Sequence, residues 1–223
     1  MGTLPGVLLC LTSMVASGPG HSATAARPAP VARIRQEAAV ASRPRGSVVT
    51  TLGARTPYGS PQTAAVVARR GGWLEVESPE LGNGRVGWIR ASQVSMSATR
   101  FALRADIGKR TLQVRFGGHV VRAFPIAVGR AATPTPRGRF FVTDKLPGPR
   151  YGAVFGCCIL AISAIQPKSV TGWRTDGRVA IHGLISDRQL GTGASYGCML
   201  AREADLQWMM RRLPLGTPII ITQ

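Results

Sequence analysis

The amino-acid sequence predicts a mainly β protein, in which a small barrel is followed by a second strand-rich domain with one helix in its C-terminal half. Short apolar segments separated by turn residues begin at Ser47 and recur along the chain, a pattern typical of small barrels and other all-β folds. One later stretch, residues 201–213, has apolar residues at helical spacing and stops at Pro214. With 223 residues and 44% hydrophobic content, the chain is long enough for two such cores.

Residues 1–25 have the features of a secretion signal. An apolar run over residues 4–15 is followed by small residues and by an A-x-A cleavage pattern at residues 23–25, although no Lys or Arg precedes the run. We therefore predict export to the cell envelope, the cell wall or the extracellular space. No later apolar stretch approaches the ~20 residues that cross a bilayer, so we predict no membrane span.

Two domains are predicted to follow a linker. Residues 26–46 are rich in Ala, Pro and Arg without a periodic apolar face, which is typical of a tether. The predicted strands of the first domain, residues 47–96, are 47–52, 64–68, 72–76 and 86–89. The predicted strands of the second domain, residues 99–223, are 101–105, 111–115, 119–128 and 139–143. Gly117-Gly118 is expected to form a two-residue hairpin turn.

The high positive charge has two interpretations: attraction to a polyanionic partner, or simply an overall composition rich in Arg, Gly, Ala and Pro. The formal net charge is +18, and only three of the 28 basic residues are lysines. Arginine is spread along the chain without the basic runs and interleaved aromatic residues of a nucleic-acid interface, so no nucleic-acid partner is expected. Attraction to anionic cell-wall polymers fits both the charge and the predicted export.

The cysteines limit the chemistry. Export would leave Cys198 and the adjacent pair Cys157-Cys158. Because neighbouring strand residues point to opposite faces, we expect the pair to be reduced, with one thiol buried. The mature chain would contain only His119 and His182, and no metal-ligand spacing is present, so neither a metal nor another cofactor is predicted.

Cys198 and His182 are the candidate nucleophile and base. An imidazole that takes the proton of a nearby thiol produces a nucleophilic thiolate. Glycines beside both residues permit the close backbone approach that an oxyanion site requires. A helix starting at Ala201 would further favour the thiolate. The residues alone leave another interpretation open, in which Cys198 is a small buried hydrophobe and His182 a hydrogen-bonded strand histidine.

The His182-Gly183 pair, followed after a lid-like stretch by Ser195-Tyr196-Gly197-Cys198, resembles the signature of the L,D-transpeptidases with a YkuD-type catalytic domain. The resemblance covers about residues 99–223 and includes PTPRGRFF at 134–141 and PLGTPIIIT at 214–222. It implies a β-sandwich-like fold and attack of the cysteine on the tetrapeptide stem of peptidoglycan. D-alanine would leave, and the acyl group would pass to an amine of a neighbouring stem.

On this resemblance Cys198 is the nucleophile, and His182 is first the base and then the acid. Four further residues are implied to shape the oxyanion and substrate pocket: Gly183, Ser195, Tyr196 and Gly197. Carbapenem-type inhibitors are expected to acylate the cysteine. Two rival functions stay open, namely an L,D-carboxypeptidase that uses water as the acceptor and a non-catalytic protein that binds the cell wall.

Three positions depart from the family pattern. Leu200 stands where the family usually has Arg, Tyr196 where many members have His, and Leu184 where Thr is common; the nearest arginine is Arg202. Leucine cannot bind a stem carboxylate as a guanidinium does, so the change at Leu200 concerns substrate anchoring. The departures leave the nucleophile and the base unchanged.

The first domain resembles bacterial Src-homology-3-like domains in AVVARRGGWLEV at residues 65–76 and GWIRASQV at residues 87–94. This resemblance implies one of two roles. The domain either binds wall peptide or glycan, or it is a spacer that packs on the catalytic domain.

Overall fold

The computed structural model describes residues 1–2, 27–168 and 177–223. Apart from residues 1–2, the predicted signal segment lies outside the described residues and stays a prediction. Within the described ranges, no helix is both long enough and apolar enough to cross a membrane.

The N-terminal part of the described chain is one antiparallel sheet, which we call the N-terminal sheet (residues 29–99). Its seven strands are β1 (Ala29–Ile34), β2 (Glu37–Ala41), β3 (Val48–Gly53), β4 (Thr63–Arg70), β5 (Trp73–Glu77), β6 (Val86–Arg90) and β7 (Val94–Thr99). Their spatial order is β3-β2-β6-β5-β4-β1-β7. Four predicted strands correspond to β3, β4, β5 and β6, whereas the Src-homology-3-like barrel stays a prediction.

The predicted linker over residues 26–46 is wrong, because β1 and β2 lie within it. Strand β1 pairs with β4 and β7, and β2 pairs with β3 and β6. Ala32 and Ile34 are buried, whereas Arg33 and Arg35 are exposed. This alternation has the period of two that a strand requires, but small and charged residues carry it, so the composition resembled that of a tether.

The described residues of the C-terminal part form ten strands and one helix. In chain order the elements are β8 (Phe101–Asp106), β9 (Thr111–Phe116), β10 (His119–Pro125), β11 (Val128–Gly129), β12 (Gly138–Pro147), β13 (Cys158–Ile165), β14 (Arg178–His182), β15 (Gly193–Ser195), β16 (Met199–Leu200), α1 (Glu203–Arg212) and β17 (Pro218–Thr222). Eight strands form one sheet in the order β10-β9-β8-β17-β12-β13-β14-β16, while β11 and β15 pair separately. The mainly β class with one helix is confirmed.

Three pairings in this part are parallel, namely β8 with β17, β11 with β15 and β14 with β16. The helix α1 contributes buried Leu206 and Met209 to the main core, close to the predicted bounds of 201–213. The turn at Gly117-Gly118 is confirmed: Phe116 pairs with His119, and the two glycines have φ of 58° and 94°. The predicted strand 119–128 is divided, because β10 ends at Pro125, which has no N–H to donate.

The prediction that Cys157 and Cys158 are reduced is also wrong. The structure joins them in a disulfide, and Cys198 is a free, buried cysteine. The prediction assumed that both lie on a strand, whereas β13 begins at Cys158 and Cys157 lies in the preceding turn. The alternation of faces along a strand therefore did not apply to the pair.

Side-chain hydrogen bonds connect the two parts of the molecule. The Asn83 side chain donates to the carbonyl of Ile165 at 2.6 Å and accepts its N–H at 2.8 Å. The Thr56 hydroxyl donates to Asp144 Oδ1 at 2.5 Å, with both residues buried. The N-terminal part is thus attached to the β12–β13 hairpin at its open end, through Ile165, and at its middle, through Asp144, which pairs with Ala161. The strands of this hairpin line the candidate active site.

Candidate active site

Parallel pairing of β14 with β16 places Cys198 beside His182. The register matches Ile181 with Met199 and His182 with Leu200. Cys198 directly precedes β16, and alternate residues of a strand share a face. Cys198 and Leu200 therefore lie on the same sheet face as His182, and all three line one cavity of about 540 Å³.

Burial dominates the electrostatics of Cys198. The thiol is free and buried, and burial raises its pKa to about 11, while a hydrogen bond from the backbone of Ala180 lowers it in part. Burial thus dominates, and the expectation that a following helix favours the thiolate stays a prediction. The helix begins only at Glu203, and its first turn carries Glu203 and Asp205.

His182 is held in a defined tautomer. Its Nδ1 lies 2.8 Å from the carbonyl oxygen of Gly183, and a carbonyl only accepts, so Nδ1 carries the proton. Nε2 is then the basic nitrogen. Burial lowers the pKa of His182 to about 4, with the bond to Gly183 acting in the opposite direction. At neutral pH the resting pair is therefore a neutral thiol and a neutral imidazole, and Nε2 of the imidazole is able to accept a proton.

A turn between β12 and β13 supports the histidine. The Phe155 ring meets the imidazole edge-to-face, with centroids 4.9 Å apart, and the Phe155 carbonyl accepts the N–H of Gly183 at 2.9 Å. A Cβ on Gly183 would lie only 2.7 Å from the Cα of Gly156. Glycine is therefore required at 183 by close backbone approach. The Cys157 N–H donates to Glu203 Oε1 at 2.9 Å, which ties this turn to α1.

Ser195 and Gly197 shape the turn that presents Cys198. The Ser195 hydroxyl donates to the carbonyl of Cys198 at 2.5 Å and accepts the N–H of Gly197 at 3.1 Å. Gly197 has a φ of 125°, a conformation that side chains rarely adopt, and a Cβ there would collide with Gln166. Ser195 and Gly183 line the cavity, whereas the Gly197 N–H bonds within the turn.

Tyr196 lines the cavity and is 41% exposed. The guanidinium of Arg130 stands 3.7 Å from the centre of its ring. The backbone N–H of Arg130 also donates to the carbonyl of Ser195 at 2.9 Å. Arg130 follows β11, so the pairing of β11 with β15 positions the loop that carries Tyr196.

The cavity contains an arginine that was not predicted from the sequence. Leu200 is buried in the apolar floor, and Arg202 points elsewhere, into an exposed ion pair with Asp187 at 3.2 Å. Arg178 lines the cavity instead, and its Nη1 donates to the Thr143 hydroxyl at 3.2 Å. The alternation of Arg178, Ala180 and His182 along β14 could have revealed that Arg178 and His182 share a face.

The cavity is apolar and rich in aromatic residues. All three tyrosines of the chain line it, and Tyr58 comes from the N-terminal sheet. Across the residues that the structure describes, no group of three or more His, Cys, Asp or Glu side chains could hold a metal ion. The predictions of no metal and no cofactor stay predictions.

Residues 100–221, more than half of the chain, match the model of the L,D-transpeptidase catalytic domain family, YkuD. The chain therefore belongs to this family, and the proposed resemblance of its C-terminal part is confirmed. The matched range lies inside the predicted domain of residues 99–223.

Two Bacillus relatives are named "Putative L,D-transpeptidase YkuD". The protein from Bacillus licheniformis is 30% identical over 122 residues, which are 55% of this chain and 66% of that protein. The protein from Bacillus subtilis is 28% identical over 123 residues, with the same coverage of 55% and 66%. The match thus spans slightly less than two thirds of the length of either relative.

Among solved structures, L,D-transpeptidase 3 from Mycobacterium tuberculosis in complex with a faropenem-derived adduct is 18% identical. It covers 62% of this chain and 73% of its own, with a TM-score of 0.46. An L,D-transpeptidase from Mycobacterium smegmatis, also 18% identical, covers 86% of this chain and 99% of its own, with a TM-score of 0.45.

Proposed function

We propose that the protein is a peptidoglycan L,D-transpeptidase that forms an acyl-enzyme on Cys198. The observation that carries the proposal is that Cys198 and His182 line the same cavity on one sheet face, within a chain of the L,D-transpeptidase family. The neutral resting pair supports a mechanism in which the proton moves only when the substrate carbonyl is present.

In this mechanism the sulfur of Cys198 attacks the amide carbon of the donor stem while Nε2 of His182 takes the thiol proton. The protonated imidazole then gives this proton to the leaving nitrogen, and D-alanine departs with a new N–H. The thioester that remains accepts the side-chain amine of a second stem, whose proton passes to His182. Collapse of the intermediate forms the new amide and returns the proton to sulfur.

Arg178 is the proposed anchor for a substrate carboxylate in place of the arginine that the family usually has at position 200. Arg178 lines the cavity on the strand face that carries His182, and the fork of N–H donors of a guanidinium matches a carboxylate. The Thr143 hydroxyl orients the side chain through Nη1. This arrangement offers a positive charge where Leu200 offers none.

The proposed reaction takes place outside the cytoplasmic membrane. The apolar run over residues 4–15 and the A-x-A pattern support export, and the net charge of +18 supports contact with anionic wall polymers. A second cavity on the N-terminal sheet, lined by Arg33, Arg35 and Arg55, places three of these positive charges together.

Intact-mass spectrometry after incubation with a carbapenem tests the acyl-enzyme. We expect one covalent adduct on the wild type, mapped to the peptide that contains Cys198, and none on Cys198→Ala. Cys157 and Cys158 are present in both proteins, so the variant controls for reaction at these sulfurs. If folded wild type forms no adduct, the non-catalytic wall-binding function becomes the better account.

Product analysis with a tetrapeptide-stem donor distinguishes the two enzymatic functions. A transpeptidase gives a cross-linked dimer with the mass of two stems minus one D-alanine. An L,D-carboxypeptidase gives the donor shortened by one D-alanine and with one water added. We expect the dimer to predominate when acceptor stems are in excess, because the tyrosine-lined cavity is largely apolar and disfavours water.

A further inference from the structure

The N-terminal sheet contributes a residue to the wall of the cavity. Tyr58 lines the cavity together with His182 and Cys198, although it precedes the family-matched range of residues 100–221. It is half-buried and packs against the apolar cluster that contains Cys198 and Leu200. We propose that Tyr58 is a substrate-contacting residue that helps to position the donor stem, and this inference rests on the proposed function.

The loop that carries Tyr58 is fixed by its own hydrogen bonds. Arg55 and Pro61 form a bridge at its base, and the Thr56 N–H donates to the carbonyl of Ser60 at 2.9 Å. The Thr56 hydroxyl accepts the N–H of Tyr58 at 3.3 Å and that of Ser60 at 3.2 Å. We call residues 55–61 the tyrosine loop. Its tip is held in a defined shape before any substrate binds.

The tyrosine loop is also attached to the catalytic part. The Thr56 hydroxyl donates to Asp144 Oδ1 at 2.5 Å, and both side chains are buried. Asp144 lies on β12, two residues before Leu146, which lines the cavity. The Tyr58 ring meets Tyr151 edge-to-face, with centroids 6.3 Å apart. A hydrogen bond and a ring contact thus fix Tyr58 at the cavity.

These contacts indicate more than a spacer role for the N-terminal sheet. A spacer could pack anywhere on the catalytic part, but here an aromatic side chain reaches the cavity that contains the nucleophile. A rigid aromatic ring with a hydroxyl provides contact area and a hydrogen-bonding group at low cost in conformational entropy. Contact with the peptide stem, which has both apolar and amide groups, fits that chemistry.

Steady-state kinetics of the full chain with a tetrapeptide-stem donor tests the inference. For Tyr58→Ala we expect KM for the donor to rise about three- to tenfold with little change in kcat, because an aromatic contact is lost and the nucleophile remains. Tyr58→Phe should restore most of the affinity if the ring provides the contact. Phe116→Ala removes an exposed aromatic residue that does not line the cavity, and should leave KM unchanged.

Two further measurements separate a substrate contact from a structural role. Tyr58→Ala should lower the Tm, because a half-buried ring is lost, but at a temperature where the variant is folded the rate of Cys198 alkylation by iodoacetamide should be close to wild type, whereas a residue that only holds the cavity in shape would change that rate. Thr56→Val, which removes the hydroxyl that holds the tyrosine loop, should raise KM in the same direction. If the wild type is active and Tyr58→Ala has the wild-type KM, the role of Tyr58 is overturned while the proposed function stands. Wild type that does not turn over the donor would overturn the proposed function first.

Discussion

Two walls of the same cavity have different origins. The wall formed by β14 and β16 carries Cys198 and His182, and it depends on a short parallel pairing within one part of the chain. A second wall combines Tyr58 of the N-terminal sheet with Tyr151 of the β12–β13 connection. The first wall supplies the reacting groups, whereas the second supplies aromatic contact. Substitutions in the first wall should therefore abolish the chemistry, whereas substitutions in the second should weaken substrate contact.

Replacing His182 should have the largest effect. We expect His182→Gln to lower kcat/KM for the donor about a thousandfold, because glutamine cannot accept the thiol proton. His119→Gln is the matched control, since His119 is an exposed strand histidine that does not line the cavity. If kcat/KM falls equally in the two variants, or does not fall in His182→Gln, the assignment of His182 as the base is wrong.

The buried histidine should also make stability depend on pH. The folded-state pKa of His182 is about 4, against 6.5 for an exposed histidine, so between these values the unfolded chain binds more protons. Stability should therefore be lost as the pH falls from about 6.5 towards 4, by up to about 3 kcal/mol from this group.

Urea unfolding of the wild type and of His182→Gln at pH 7 and pH 4 measures this contribution. The carboxylates titrate in both proteins, so the difference between the two pH dependences isolates the histidine. We expect a smaller loss of stability at pH 4 in His182→Gln, and His119→Gln should behave as the wild type does. If the free energy of unfolding changes equally with pH in all three proteins, burial of His182 does not destabilise the fold at low pH.

Much of the first wall could be predicted from the sequence. Cys198 and His182 were found because a reactive thiol requires a base, and because glycines at 183 and 197 indicate close backbone approach, which the structure shows at Gly183. Arg178 was missed although it stands four residues before His182, because its role depends on the face of a strand whose start was not predicted. The alternation along β14 contains that signal.

The second wall could not be predicted in the same way. Tyr58 and Tyr151 are far apart in the chain, and their contact depends on how the two parts pack. No local pattern indicates that a Thr-Pro-Tyr-Gly-Ser turn reaches a cavity in another sheet. The linker prediction failed for a related reason, because β1 is stabilised by pairing with β4 and β7, and alanine-rich sequence does not reveal its partners.

Substitution at the proposed carboxylate anchor should have a smaller effect than substitution of His182. Arg178→Gln should raise KM for the donor about tenfold, as expected for the loss of one charge-assisted hydrogen bond. Arg178→Lys keeps the charge but not the planar fork, so its KM should lie between those of the wild type and Arg178→Gln. The measurement is initial rate against donor concentration for each variant.

Arg202→Gln is the control for Arg178, because Arg202 is the arginine nearest to Leu200 in sequence but pairs with Asp187 at the surface. An exposed ion pair contributes little to stability, so this variant should fold and keep the wild-type KM. If KM rises in Arg202→Gln and not in Arg178→Gln, Arg202 must exchange Asp187 for the substrate. The positive charge that binds the substrate carboxylate would then come from Arg202 at the start of α1, and β14 would supply only the base, His182.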